Sequence, residues 1–182
     1  VKAVLTGLGA SLALASAAPA AAPAKPPAPL SMAFQPKTFV DGTTLQVILG
    51  ERAIVRLDDG GQPVLDSVEK GQLAVAHPAG AVAESFKPPP QGLIAAALDG
   101  SAEKRATSLK IWNGTGHAVE YRAIVLVLHG QSLRAMPVPT CPVAAGHVRL
   151  ETWPAPVVAV GLSRFKPASK AALAQPACNG GK

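Results

Sequence analysis

The side chains able to do chemistry are few and scattered. Four histidines, His77, His117, His129 and His147, stand far apart, and neither they nor the two cysteines show His-x-x-x-His or Cys-x-x-Cys spacing. Those spacings matter because they bring two ligands to one metal ion from a single helix or knuckle. A Gly-x-Ser-x-Gly elbow, which would expose a nucleophilic serine at a strand end, is missing. His129-Gly130-Gln131-Ser132 puts an imidazole near a hydroxyl. A triad, however, is a spatial arrangement with a third orienting group, and His129 closes an apolar run where a strand-end histidine is the ordinary reading. Asp58 and Asp59 form a carboxylate pair within Asp58-Asp59-Gly60-Gly61. Adjacent acids on glycines are turn formers. They also lack the alternating oxygen ligands and closing glutamate of a calcium loop. No catalytic residue, metal ligand or cofactor-binding residue is assigned on these grounds, and no cofactor is expected.

Cys141 and Cys178 are the only cysteines. An even pair in an oxidising compartment reads as a disulfide. It would tether a Pro/Gly-rich C-terminal tail to the body and stabilise by roughly 3–4 kcal/mol if the whole loop is free when unfolded. A catalytic thiol at Cys141 is the competing reading. It needs a nearby base, and His147 six residues on supplies only proximity in sequence, while Pro139 and Pro142 mark a turn.

The compartment is set by the N-terminal residues. Lys2 precedes an apolar stretch over residues 3–14, and Ala15-Ser16-Ala17 follows. That order, one positive charge, a short apolar run and small residues, is the pattern of a secretory signal peptide. The run is shorter than the roughly 20 residues a membrane span needs, and no later segment is long and apolar enough. Residues 1–22 are expected to be a signal peptide cleaved near 17–22. Residues 23–30, Ala/Pro-rich, are an extended linker, because proline fixes φ and donates no hydrogen bond. The expected location is periplasmic or secreted.

Beyond the linker the pattern is of strands. Residues 43–49, 53–57, 64–68 and 73–76 are short apolar runs separated by turn residues, and Asp58-Asp59-Gly60-Gly61 is a strong hairpin signal. Residues 93–98 are ambiguous, since three alanines permit a helix but Gly92 and Asp99-Gly100 bracket only a short run. Residues 108–112 and 119–128 flank Asn113-Gly114, a hairpin signal, and the second run is apolar on both faces, as in a central strand. A proline-rich loop over 136–142 leads to 147–153 and then 157–165, with Pro154 and Pro156 between them. Prolines there place the last hairpin at an edge or turn. Seven to nine short strands without a long helix predict an all-β chain: a single antiparallel β-sandwich over residues 31–166, with residues 167–182 as a C-terminal tail tethered by the disulfide.

The stretch LKIWNGTGHAVEYRAIVLV, residues 109–127, resembles the strand–turn–strand core of bacterial periplasmic immunoglobulin-like domains. In those domains an Asn-containing turn joins two strands and an aromatic residue leads the second. The stretch that carries the resemblance is 19 residues long and implies an immunoglobulin-like sandwich; it carries no site residues. The chain departs from antibody-type domains because Trp112 precedes both cysteines, so a disulfide here ties a loop to the tail instead of bridging two sheets.

Charge bears on partners. Residues 41–103 hold nine acidic and four basic side chains, whereas residues 104–182 hold two acidic and ten basic ones. Such asymmetry suits an anionic partner, with a solvated basic face as the plainer account. The basic residues are scattered singly apart from Lys104-Arg105, and aromatic residues are few, which disfavours nucleic acid and sugar-stacking platforms. The expectation is a non-enzymatic exported module that binds another cell-envelope component, either a protein or an anionic surface polymer. Arg122, Arg134, Arg149 and Arg164 are its candidate binding residues, and Trp153 is a candidate anchor whose commoner role is packing. A hydrolase or metal-dependent enzyme, with a site assembled from separated loops, is the alternative. A secreted inhibitor or structural subunit built on the stapled loop is a third. The oligomeric state is not encoded in any pattern of the sequence.

Overall fold

A computed structural model of the chain describes residues 34–175 and Cys178. The expected signal peptide and linker lie outside those residues. The described chain is a two-sheet antiparallel β-sandwich with five strands in each sheet. In chain order the strands are β1 (Phe39–Asp41), β2 (Thr44–Ile48), β3 (Glu51–Leu57), β4 (Pro63–Lys70), β5 (Ile94–Ser101), β6 (Ala106–Asn113), β7 (Val119–His129), β8 (Ser132–Val138), β9 (Val148–Trp153) and β10 (Val157–Pro167). One sheet has the order β1-β2-β10-β7-β8 and the other β4-β3-β5-β6-β9.

Period-two alternation explains the core. On β7, Val119, Tyr121, Ala123 and Val125 face inward and are buried, and β2 and β10 answer with Leu45, Val47, Val160 and Leu162. Ala53, Val55, Ala96, Leu98, Leu109 and Ile111 come from the opposite sheet. Ten strands of mostly small and β-branched residues thus interdigitate over one apolar layer, as aligned sandwiches require. β7 lies between β10 and β8, in keeping with its apolar faces.

A second, smaller cluster lies on the outer face of the β4-β3-β5-β6-β9 sheet. The connection from β4 to β5 crosses that face, and its Leu73, Ala76 and Phe86 pack on Ile54, Ala95, Ala97 and Trp112. This strap explains the run Ile94–Leu98, which is buried throughout: both faces of β5 are covered, so alternation is lost and the residues form a strand despite three alanines.

Several expectations are corrected. The segment 73–76 is a 3-10 turn (Ala74–Ala76), not a strand. The proline-rich segment is partly strand, since Pro137 lies in β8, at a sheet edge where a missing N–H is tolerated. The Asn113-Gly114 turn is not a hairpin. β6 pairs with β5 and β9, β7 pairs with β10 and β8, and the turn carries the chain from one sheet to the other. Asn113 is the reason: its buried amide donates to the carbonyls of His117, Val143 and Ala144, and its Oδ1 accepts from the N–H and hydroxyl of Thr115. Those bonds fix an arch in place of a two-residue loop. β9 and β10 likewise lie in different sheets, so the expected last hairpin is also a crossover. The Asp58-Asp59-Gly60-Gly61 hairpin joins β3 to β4 as expected, with Asp58 Oδ1 accepting from the N–H groups of Gly60 and Gln62. His129 ends β7 at a tight hairpin whose Gly130 has φ +61°.

After β10 the chain forms one helical turn, α1 (Lys170–Leu173), capped by Ser169 Oγ accepting from Ala172 N–H at 3.1 Å. Cys141 and Cys178 are joined in a disulfide with Cα atoms 5.4 Å apart.

Candidate functional site

The β10–β7 pairing is regular from Ala159 opposite Leu126 to Ser163 opposite Arg122, then resumes at Lys166 opposite Glu120. Arg164 and Phe165 together take the place opposite Tyr121, a bulge in which Arg164 has φ +55°. Bulges re-aim side chains. Here the inward position is kept for Phe165, which is buried and stacks on Tyr121 with ring centroids 6.1 Å apart. Arg164 is left exposed, next to the position opposite Arg122 on the neighbouring strand.

Around this bulge is a cavity of about 470 Å3, lined by Arg122, Arg164 and Lys166 together with Glu120, Thr140 and Gln175. Lys166 Nζ lies 2.8 Å from Glu120 Oε1. The hydrogen bond from Lys166 holds the Glu120 carboxyl below its ordinary value, against partial desolvation and with help from the Ser169 N–H. Glu120 and Lys166 therefore neutralise each other. Arg122 and Arg164 have no carboxylate partner among the described residues. Thr140 presents no free hydroxyl proton, because Oγ1 donates to the Tyr121 carbonyl at 2.6 Å. The electrostatic remainder is two guanidinium groups, each a rigid fork suited to carboxylate or phosphate oxygens.

The tail forms one wall of this cavity. Ala168 N–H donates to Ala118 O at 2.8 Å, Ser169 N–H to Glu120 Oε2 at 3.4 Å, and the disulfide holds the far end. Ala172 and Gln175 thereby line the cavity.

The other candidates are placed elsewhere. Arg134 is exposed on the edge strand β8, opposite Val127. Arg149 belongs to the opposite sheet, where its Nε donates to Glu151 Oε1 and its Nη1 to the Cys178 carbonyl, both at 3.0 Å. It braces the tail. Trp153 is half-buried and packs against the main core. The four histidines stand on four segments. Among the described residues only His77 meets a carboxylate, its Nε2 lying 2.9 Å from Asp99 Oδ2, and no group of three His, Cys, Asp or Glu side chains could hold a metal ion.

Two polar clusters carried no sequence signal. Asp99 is a buried strand residue, not a turn residue; it accepts from Leu73 N–H at 2.7 Å, Gly100 N–H at 2.8 Å and His77. Arg52 is buried under the strap, its guanidinium 5.0 Å from the Phe86 ring centroid and 5.6 Å from that of Trp112. It donates to Glu69 Oε2 and to the Lys87 carbonyl. Each guanidinium nitrogen of Arg52 donates to Glu69 or to the Lys87 carbonyl while the ring faces flank it, so this cluster anchors the strap.

In comparisons with protein-family models, curated proteins and solved structures, nothing matches the chain significantly.

Proposed function

We propose that this protein is a non-enzymatic exported module, periplasmic or secreted, that binds an anionic group on another cell-envelope component through the Arg122–Arg164 pocket. The observation that carries the reading is the pairing of two uncompensated guanidinium groups on adjacent strands, in a concave site. Ligand cavities have volumes of a few hundred cubic ångströms, a range that includes this 470 Å3 site, and its mostly polar lining suits a charged group more than an apolar one. The Cys141–Cys178 disulfide accords with an oxidising compartment. An immunoglobulin-like reading of the sandwich, drawn from residues 109–127, fits a binding scaffold whose loops and edges recognise partners. A protein carboxylate patch and an anionic surface polymer offer the same chemistry to the two forks.

The test is binding of the protein to immobilised polyanions, lipopolysaccharide and polyglutamate, at low and high salt. R122E/R164E is expected to weaken binding at least tenfold, whereas R134E changes it less than twofold. Salt should weaken binding by the wild type, because both guanidinium groups are solvent-accessible and therefore screened. Binding that is unchanged at high salt, or equal for the two variants, removes the reading.

A further inference from the structure

At the other end of β10 is a second cavity, of about 450 Å3, bounded by the β2–β3 turn, the β5–β6 hairpin and the β9–β10 connection. Its walls are apolar: Leu49, Ala102, Ala106, Pro154, Pro156 and Val158. Leu49 is 44% exposed, a large aliphatic side chain open to water beside the cavity. Two hydroxyls line it: Ser101 Oγ accepts from Lys104 N–H at 3.3 Å, and Thr107 Oγ1, at the buried edge, donates to Ala155 O at 2.8 Å and accepts from Val157 N–H at 3.1 Å. The interior therefore presents apolar surface and no free polar atom of the Thr107 side chain.

A single full charge lines this cavity. Arg105 is exposed and has no carboxylate partner among the described residues. Its backbone is also unusual. Arg105 and Arg164 are the only described non-glycine residues with positive φ, and each lines one of the two cavities. At Arg105, φ is +50° in the turn that closes the β5–β6 hairpin, a position that glycine or asparagine fills at least strain. Retaining a long cation in a left-handed conformation is the kind of local strain that accompanies binding sites.

Apolar walls with one cation at the mouth define a ligand that is apolar along its length and anionic at one end. We propose that this cavity binds a free single-chain anionic amphiphile, such as a medium-chain carboxylate. The alkyl chain lies against Leu49, the two prolines and Val158, and the head group meets the Arg105 guanidinium. The volume is in the range of small-molecule sites, and each methylene removed from water adds about a fourfold gain in affinity (0.8 kcal/mol). This site is separate from the Arg122–Arg164 pocket and takes a different class of ligand.

The experiment is calorimetric titration of the oxidised protein with decanoate below its micellar concentration, with decanol as the uncharged counterpart. Wild type is expected to bind decanoate more tightly than decanol. R105G should weaken decanoate about fivefold, leave decanol unchanged and raise the melting temperature, because glycine removes both the charge and the backbone strain. That combination separates lost recognition from lost folding. L49D, at an exposed position, should weaken both ligands at least tenfold. Equal binding of decanoate and decanol, full decanoate affinity in R105G, or indifference to L49D would overturn the proposal. So would a dimer dispersed by L49D, which makes a second copy the occupant, or Arg105-dependent binding to anionic vesicles without binding of monomeric decanoate.

Discussion

Reduction of the Cys141–Cys178 disulfide tests how the tail is held. If the entire loop of 37 residues were free once the bond is broken, the chain-entropy relation would give about 4 kcal/mol. The fold makes that figure an overestimate. Within the loop, β9 and β10 remain paired in their own sheets, and β10 runs to Pro167 between β2 and β7. Only the eleven residues from Ala168 to Cys178 lose their restraint in the reduced native state. Helix α1 has four residues with no buried side chain, too few to hold itself, so this segment becomes a free tether. The bond then closes a loop of 37 in the unfolded chain and of about 11 in the native one. The difference, (3/2)RT ln(37/11), is about 1 kcal/mol. A domain of this size should lose a few degrees of melting temperature on reduction. Urea unfolding of the C141S/C178S variant beside wild type measures the free energy, and limited proteolysis measures the tail. Expected are a loss near 1 kcal/mol and new cleavage confined to residues 168–178. A loss near 4 kcal/mol would show that the tail folds cooperatively with the sandwich, and the argument would be wrong. An unchanged midpoint with an unchanged protease pattern would mean the bond does not form.

Three further outcomes follow from burial and close contact. Tyr121 is the only tyrosine, its hydroxyl is buried without a partner among the described residues, and burial pushes its pKa well above 10. Its ultraviolet titration should therefore begin only with unfolding. Since the unfolded phenol ionises from about pH 10 and the folded one does not, stability is intact below pH 10 and falls by about 1 kcal/mol per pH unit above it. Ionisation near pH 10 with the fold retained would contradict the buried placement. A Cβ at Gly114 would lie 2.7 Å from the Leu93 carbonyl oxygen and 2.9 Å from that of Pro90, both backbone, so G114A should cost roughly 1–3 kcal/mol in urea unfolding; a neutral variant would show that the arch gives way freely. R52A removes two ring contacts and a buried set of hydrogen bonds, for a loss of about 2–4 kcal/mol, and R52M should recover part of it by refilling the volume. Hydrogen exchange in R52A should rise first in residues 71–93; uniform loss of protection would count against Arg52 as the anchor of the strap.

Sequence made the strands legible where alternation and turn chemistry agree, as in residues 53–57 with Asp58-Asp59-Gly60-Gly61 or in residues 119–128. It misled at Asn113-Gly114, because the dipeptide reports a tight change of direction and not which sheet receives the chain; the deciding bonds go to residues thirty positions away. Residues 73–76 read as a strand because a short apolar run is the same whether it pairs with a sheet or lies across one. The cysteine pair was readable from its parity. The pocket was half readable. Arg122 and Arg164 stood among the charged candidates, but their meeting depends on a bulge that no local pattern announces, and Lys166 enters only through that bulge. Arg52 and Asp99 escaped notice because a buried charge is identified by its partners, which come from distant segments.

The pairing of β2 with β10 sets the order in which the molecule can be made. Leu45 meets Leu162 and Val47 meets Val160, so the centre of one sheet consists of the last of the described strands. During synthesis β2 and β7 wait without the strand that lies between them, while the local pairs β1–β2 and β7–β8 and the β4-β3-β5-β6 part of the opposite sheet can already form. Contacts this distant in sequence fold slowly. A nascent chain interrupted before residue 157 has no route to its native sheet. The first sheet therefore stays open between β2 and β7 until the chain has passed Pro167, where β10 ends.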